Sequence, residues 1–164
     1  MSWLLALSYW LHLLATVIWL GGIALITLFA WPALRSGSLA ANQWLAMQHR
    51  FLLAANASWV LLLVTGFFQM TNDVNYNGFL AIDSTWAIAM LLKHIGFFAM
   101  VVVTVYMQAV LHPAMQRAAF LGEQRPQQAA REQERIRERE IRLLRLNLLA
   151  AVAVLFFTAV ATAI

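Results

Sequence analysis

No charged side chain precedes Arg35 and none follows Arg145 in this chain of 164 residues. A helix needs about 20 apolar residues to cross a hydrocarbon core of roughly 30 Å, and each bare end is long enough to do so. Hydrophobic residues make up 63% of the chain and charged residues 11%, against roughly 45–50% and about 25% in a soluble domain. The length accommodates about four spans with short connections, which leaves no room for a separate soluble domain.

The uncharged run Met1 to Leu34 is too long for a signal-peptide core and lacks a basic segment in front, so it reads as a retained first helix. The spans are expected at about 3–31, 51–70, 86–112 and 146–164. The first stops at Pro32, the second starts from the polar boundary Gln48-His49-Arg50, and the third ends at His112-Pro113. Trp3, Tyr9, Trp10 and Trp31 suit the interfacial aromatic belts. The expected fold class is all-α: a polytopic membrane protein, one membrane domain over 1–164, built as a four-helix transmembrane bundle. A cytoplasmic helical extension over 117–145 precedes the last helix.

That extension holds eight arginines, with Glu138 and Arg142 at the favourable i, i+4 spacing. It reads as a solvated helical face, the alternative being a docking site for acidic lipid head groups or a partner. Loop one carries Arg35 and Arg50, while loop two carries no Lys or Arg but has Asp73 and Asp83. Loops one and three are therefore expected in the cytoplasm and both termini in the periplasm of a bacterial inner membrane. The net charge of +4 is a topology signal on this reading, so the lipid bilayer and not nucleic acid is the expected partner.

The absence of cysteine excludes disulfides and thiolate metal clusters. No Ser-His-Asp order, phosphate-cradling glycine loop, H-E-x-x-H motif or catalytic carboxylate pair supports hydrolase or nucleotide chemistry. The segment Asp73-Val74-Asn75-Tyr76-Asn77-Gly78 fits half of a calcium loop, but Ser84 stands at the twelfth position and Asp83 one place early. A plain polar turn is the expected structure.

Ionisable groups inside a span are costly and mark functional sites, and three stand here: His12, Lys93 and His94. Helices one and three enter from the same side, so all three residues lie two to three turns in, at one depth. Lys93 and His94 point about 100° apart, and the sequence leaves open which faces the interior. Phe97, Met100, Thr104 and Met107 continue the Lys93 stripe; Val101, Val105 and His112 continue that of His94. His49 and His112 lie at the opposite end, with His112 about five turns or ~27 Å along the axis from His94. Two ligand layers are thus conceivable: an outer one of His12 with Lys93 or His94, and a second one of His49 with His112. Met70, Met90, Met100 and Met107 offer soft donors for Cu(I), with Met90 at i, i+4 to His94. Gly21, Gly22, Gly66 and Gly96 allow close helix contact or a flat macrocycle against the backbone, the former being the commoner use.

Trp10-Leu11-His12-Leu13-Leu14 followed by Val17-Ile18-Trp19-Leu20-Gly21-Gly22 resembles the first helix of the copper resistance protein D (CopD) domain family. Leu91-Leu92-Lys93 with His112-Pro113-Ala114-Met115 is similar to its third helix, and Ile141-Arg142 through Leu149 to its last. The plan also resembles HemJ-type protoporphyrinogen oxidases, in which a first-helix histidine and a third-helix lysine are associated with b-type haem. The resemblance implies those roles for His12 and Lys93. The last helix departs from the oxidase pattern, because Arg145-Leu146-Asn147 is followed by Leu148-Leu149-Ala150 without a carboxylate.

The expectation is a membrane protein that binds haem b in the outer half of the bundle for electron transfer, with a redox partner or a larger membrane complex. His12 serves as one axial ligand and Lys93 or His94 as the other, while Trp19, Phe97 and Met100 line the ring. A lysine amine ligates only in its neutral form. The alternatives are a copper transport or tolerance protein using His and Met ligands, and a HemJ-like oxidase, so an enzymatic role stays open.

Overall fold

The computed structural model describes residues 3–76, 78, 82, 84–121 and 125–163, except for the side chains of residues 41, 42, 45, 119 and 121. Four long helices account for most of them. Helix α1 runs from Trp3 to Arg35, α-helical over Trp3–Leu25, π-helical over Ile26–Ala30 and α-helical again over Trp31–Arg35. Helix α2 is Ala41–Thr71. Helix α3 comprises Thr85–Tyr106, a π turn at Met107–Leu111, and His112–Leu121. Helix α4 is Pro126–Ala163. All four are long and apolar enough to cross a membrane.

Three helix ends differ from the sequence expectation, and two differ for one reason. Proline lacks an N–H and its ring meets the carbonyl four residues back, which normally ends a helix. Before Pro32, however, the Trp31 N–H reaches back to the Ile26 carbonyl, and before Pro113 the His112 N–H reaches back to Met107. The wider π turn makes room for the ring, so α1 continues to Arg35 and α3 to Leu121. Helix α2 starts earlier than 51 because the Gln43 side chain accepts from the Ala40 N–H at 3.2 Å and so caps a start at Ala41. From Pro126 the arginine-rich extension and the last span form one continuous helix, 38 residues long, while residues 117–121 belong to α3 and 122–124 lie outside the described residues.

The helices pair as two antiparallel hairpins, α1 on α2 and α3 on α4. Within the first, Gln69 Nε2 donates to the Ser8 carbonyl at 3.1 Å; within the second, Asn147 Nδ2 donates to Thr104 Oγ1 at 3.2 Å. Bridges between the hairpins are mostly side chains. Asn56 and Gln108 exchange two amide hydrogen bonds of 3.1 and 2.8 Å, and Trp19 meets Phe97 edge-on at 5.6 Å. Val17, Phe29, Val64, Val102 and Phe156 are exposed on the outside of the bundle. An apolar surface of that extent suits hydrocarbon and not water.

Between α2 and α3, Asp73 Oδ1 accepts from the Asn75 N–H at 2.9 Å, a polar turn of the expected kind, and Gly78 takes a left-handed φ of 115°. Asn77 and Asp83, which the calcium pattern invokes, lie outside the described residues, as does Ile164 of the last span.

Close approach within each hairpin depends on glycine. A Cβ at Gly22 would strike the Phe51 ring, and one at Gly96 would lie 2.7 Å from Val154 Cγ2, whereas Gly21 faces open space. Gly96→Val is expected to destabilise the bundle by about 1–3 kcal/mol through overpacking. Gly21→Val is expected to leave stability unchanged. Thermal melts of the detergent-solubilised variants, followed by circular dichroism, check both.

Candidate functional site

A cavity of about 140 Å³ lies between the two hairpins, toward the end that carries the termini. His12, Thr16 and Trp19 of α1, Gly66 and Phe67 of α2, Lys93, His94, Phe97 and Met100 of α3, and Val154 and Thr158 of α4 all wall it. Every residue expected in the outer layer is therefore brought to one place. The structure also resolves the alternative at Lys93 and His94: both reach the cavity, while the Lys93 stripe runs deeper through buried Met100, Thr104 and Met107.

The partners of the two histidines determine their tautomers. His94 Nδ1 lies 2.6 Å from the Met90 carbonyl, which only accepts, so Nδ1 carries the hydrogen. His12 Nδ1 lies 2.8 Å from Thr65 Oγ1, and the Thr65 hydroxyl already donates to the Leu61 carbonyl at 2.6 Å. Thr65 therefore accepts from His12 Nδ1–H. In both rings Nε2 is left with the lone pair. Such an arrangement prepares imidazole for metal ligation, since a ligating histidine usually gives its other N–H to a backbone or side-chain oxygen. Thr65 was visible in the sequence as a polar residue inside a span, but its pairing with His12 depends on the hairpin register.

Other groups in the wall are less well satisfied. Lys93 Nζ contacts the Met90 thioether at 3.9 Å. The Trp19 indole N–H is buried and has no hydrogen-bond partner among the described residues. Gly66 lets the His12 ring lie close, since a Cβ there would be 3.4 Å from His12 Cε1. Among the described residues no group of three His, Asp or Glu side chains forms a metal cage. Any metal held here needs the two imidazoles together with softer donors such as the buried Met100 thioether.

His49 and His112 lie at the arginine-rich end and wall a second cavity, of about 440 Å³. Sequence reasoning missed its most unusual member, Glu140, a carboxylic acid only 3% exposed and hydrogen-bonded to the Gln48 amide. A signal was present: Ile136, Glu140, Leu144, Asn147 and Ala151 follow the spacing of one buried helix face. Glu140 precedes the uncharged stretch of α4. Burial pushes its carboxyl up to about 7, against the downward pulls of the Gln48 amide and the Arg137 guanidinium.

Two hairpins that hold a pair of lone-pair imidazoles between them define a polytopic helical-bundle membrane protein with a soft-donor cavity. A model of the family described as copper resistance protein D matches residues 45–161, well over half of the chain, and the chain belongs to that family. Lys93, His94 and Met100 fall inside the match, while His12 precedes it. No curated protein and no solved structure matches the chain.

The raised Glu140 pKa predicts a pH dependence of stability. The native state keeps a proton that the unfolded chain releases near 4.5, so this contribution is complete below 4.5 and is lost as pH rises through about 7. Glu140→Gln removes the titration. At pH 8 it is expected to be more stable than the parent by on the order of 1–3 kcal/mol, with little difference at pH 4.5, as thermal melts across that range will show.

Proposed function

We propose that the chain handles copper as cargo in the membrane, taking Cu(I) into the cavity between the hairpins. One observation carries this reading: His12 and His94 wall the same cavity and both have Nδ1 committed to an oxygen, which leaves two Nε2 lone pairs. Imidazole and thioether are donors that suit copper, and Met100 adds the thioether. Lys93 in its neutral amine form supplies a third nitrogen. The buried Trp19 N–H favours a water or anion that accompanies the cation. Membership of the copper resistance protein D family supports the same cargo. With loops one and three assigned to the cytoplasm from their arginines, the cavity lies in the periplasmic half of a bacterial inner membrane.

A second reading places b-type haem between His12 and Lys93 or His94, and the Trp19–Phe97 aromatic pair in the wall favours it. Size supports the first reading. Pockets for drug-sized ligands span about 300–1,000 Å³, so a cavity of about 140 Å³ admits a macrocycle only if the hairpins part.

Anaerobic titration of the purified protein with Cu(I) against a chromophoric chelator tests the proposal. The expected result is a high-affinity Cu(I) equivalent that is lost in the His12→Ala/His94→Ala double variant. Thr65→Val, which removes the acceptor for His12 Nδ1–H, is expected to weaken it by about 10–100-fold. Wild-type stoichiometry and affinity in the double variant sink the copper reading. A haem spectrum in the purified protein, abolished by the same substitutions, establishes the second reading in its place.

A further inference from the structure

We propose that the cavity at the arginine-rich end is a second site for the same soft monovalent cation, and that a small void beside Asn147 joins the two sites. This inference rests on the copper reading of the first cavity. The second cavity, of about 440 Å³, brings the imidazoles of His49 and His112, the Met115 thioether and the Glu140 carboxyl into one wall. Gln48 holds Glu140 in place there. These are nitrogen, sulfur and oxygen donors from three different helices, where the sequence offers His49 and His112 alone as a conceivable second layer.

The second observation lies between the sites. Asn147 is 2% exposed; its Nδ2 donates to Thr104, but its Oδ1 has no partner among the described residues. An amide oxygen left unpaired in an apolar interior is costly, so its persistence points to a visiting water or cation. Asn147 walls a void of about 20 Å³ together with Thr104, Met107, Gln48 and His112. That volume admits about one water-sized particle, for which roughly 10–15 Å³ is needed.

The void borders the second cavity, since Gln48 and His112 wall both. Toward the first cavity it is separated by one helical turn, where Thr104 Oγ1 donates to the carbonyl of Met100, a residue of that cavity's wall. Soft or polar donors thus follow one another along α3 from His94 through Met100, Thr104 and Met107 to His112 and Met115. Among the described residues no three His, Asp or Glu side chains are grouped closely enough to hold a metal in either cavity, and Arg137 shares the wall with Glu140. Incomplete sites suit a cargo that must leave as well as arrive, because conduction needs binding strong enough for capture and weak enough for release.

Silver(I), a redox-silent stand-in for Cu(I), tests the proposal on the full-length chain by equilibrium dialysis and elemental analysis. Two silver ions per chain are expected, one remaining in His12→Ala/His94→Ala and one in His112→Ala/Glu140→Gln. Met115→Leu, which conserves volume, is expected to weaken the second site about tenfold with an unchanged melting point, which covers misfolding of the double variant. Asn147→Leu is expected to keep both ions but to slow silver passage into proteoliposomes at least tenfold. A single silver ion, lost in His12→Ala/His94→Ala and retained in His112→Ala/Glu140→Gln, overturns the second site and leaves the first intact. Unchanged passage in Asn147→Leu overturns the link, and no silver bound at all overturns both cavities together.

Discussion

Inside hydrocarbon there is no water to take a hydrogen bond, and this constraint accounts for the position of almost every polar side chain in the bundle. Thr16, Thr65, Thr104, Thr158 and Thr162 all return their hydroxyls to the carbonyl four residues back. Larger polar groups pair across helices: Gln69 with Ser8, Asn147 with Thr104, and Asn56 with Gln108. Pairing by hydrogen bonds also sets register, since a slip of one residue leaves both partners unsatisfied. The His12 ring is oriented by this rule. Its Nδ1–H goes to the Thr65 hydroxyl, and the chemistry of its other nitrogen follows.

Cohesion in the bundle is unequal. Each hairpin is close-packed through a glycine, Gly22 against Phe51 and Gly96 against Val154. The hairpins meet through two apolar clusters, around Ile26 with Met107 and Trp19 with Met100, and through an amide pair, an aromatic edge and the Gln48–Glu140 contact, with cavities between. A cavity located at the weaker seam can change volume without breaking either hairpin. Ligand sites between helices of a bundle commonly have this relation to the packing.

Much of this was legible in the sequence, and what was not has a physical cause. The spans are visible because charge is excluded from them, and the common depth of His12, Lys93 and His94 follows from counting turns. Trp19, Phe97 and Met100 lie on the stripes that lead away from those residues, and the structure brings them to the same wall. Helix ends were harder to place. Pro32 and Pro113 read as terminators because the wider turns that accommodate them have no compositional signature. Glu140 was hidden in a run of charges whose solvated members, such as Glu138 and Arg142 at 3.7 Å, obscure the one that turns inward. Its partner Gln48 comes from a different hairpin, and that pairing is a property of the assembled bundle.

The two π turns have one more consequence, which concerns angle and not distance. A π turn spends one residue more than a turn of the α-helix around it. Deleting a single residue within Ile26–Ala30 would restore the α-helical repeat and leave the two parts of α1 nearly in phase, because the wide turn already absorbs the extra residue; deleting one between His12 and Leu25 would instead turn the two parts against each other by about 100°. If the Trp31 end then stayed seated on its neighbours, His12 would swing away from Thr65 and out of the cavity wall. The same holds for α3, with its wide turn at Met107–Leu111 and the face that bears His94. Outside their wide turns these helices therefore tolerate substitution far more readily than a change of length, and the turn that carries each helix past its proline also keeps the two imidazoles in phase.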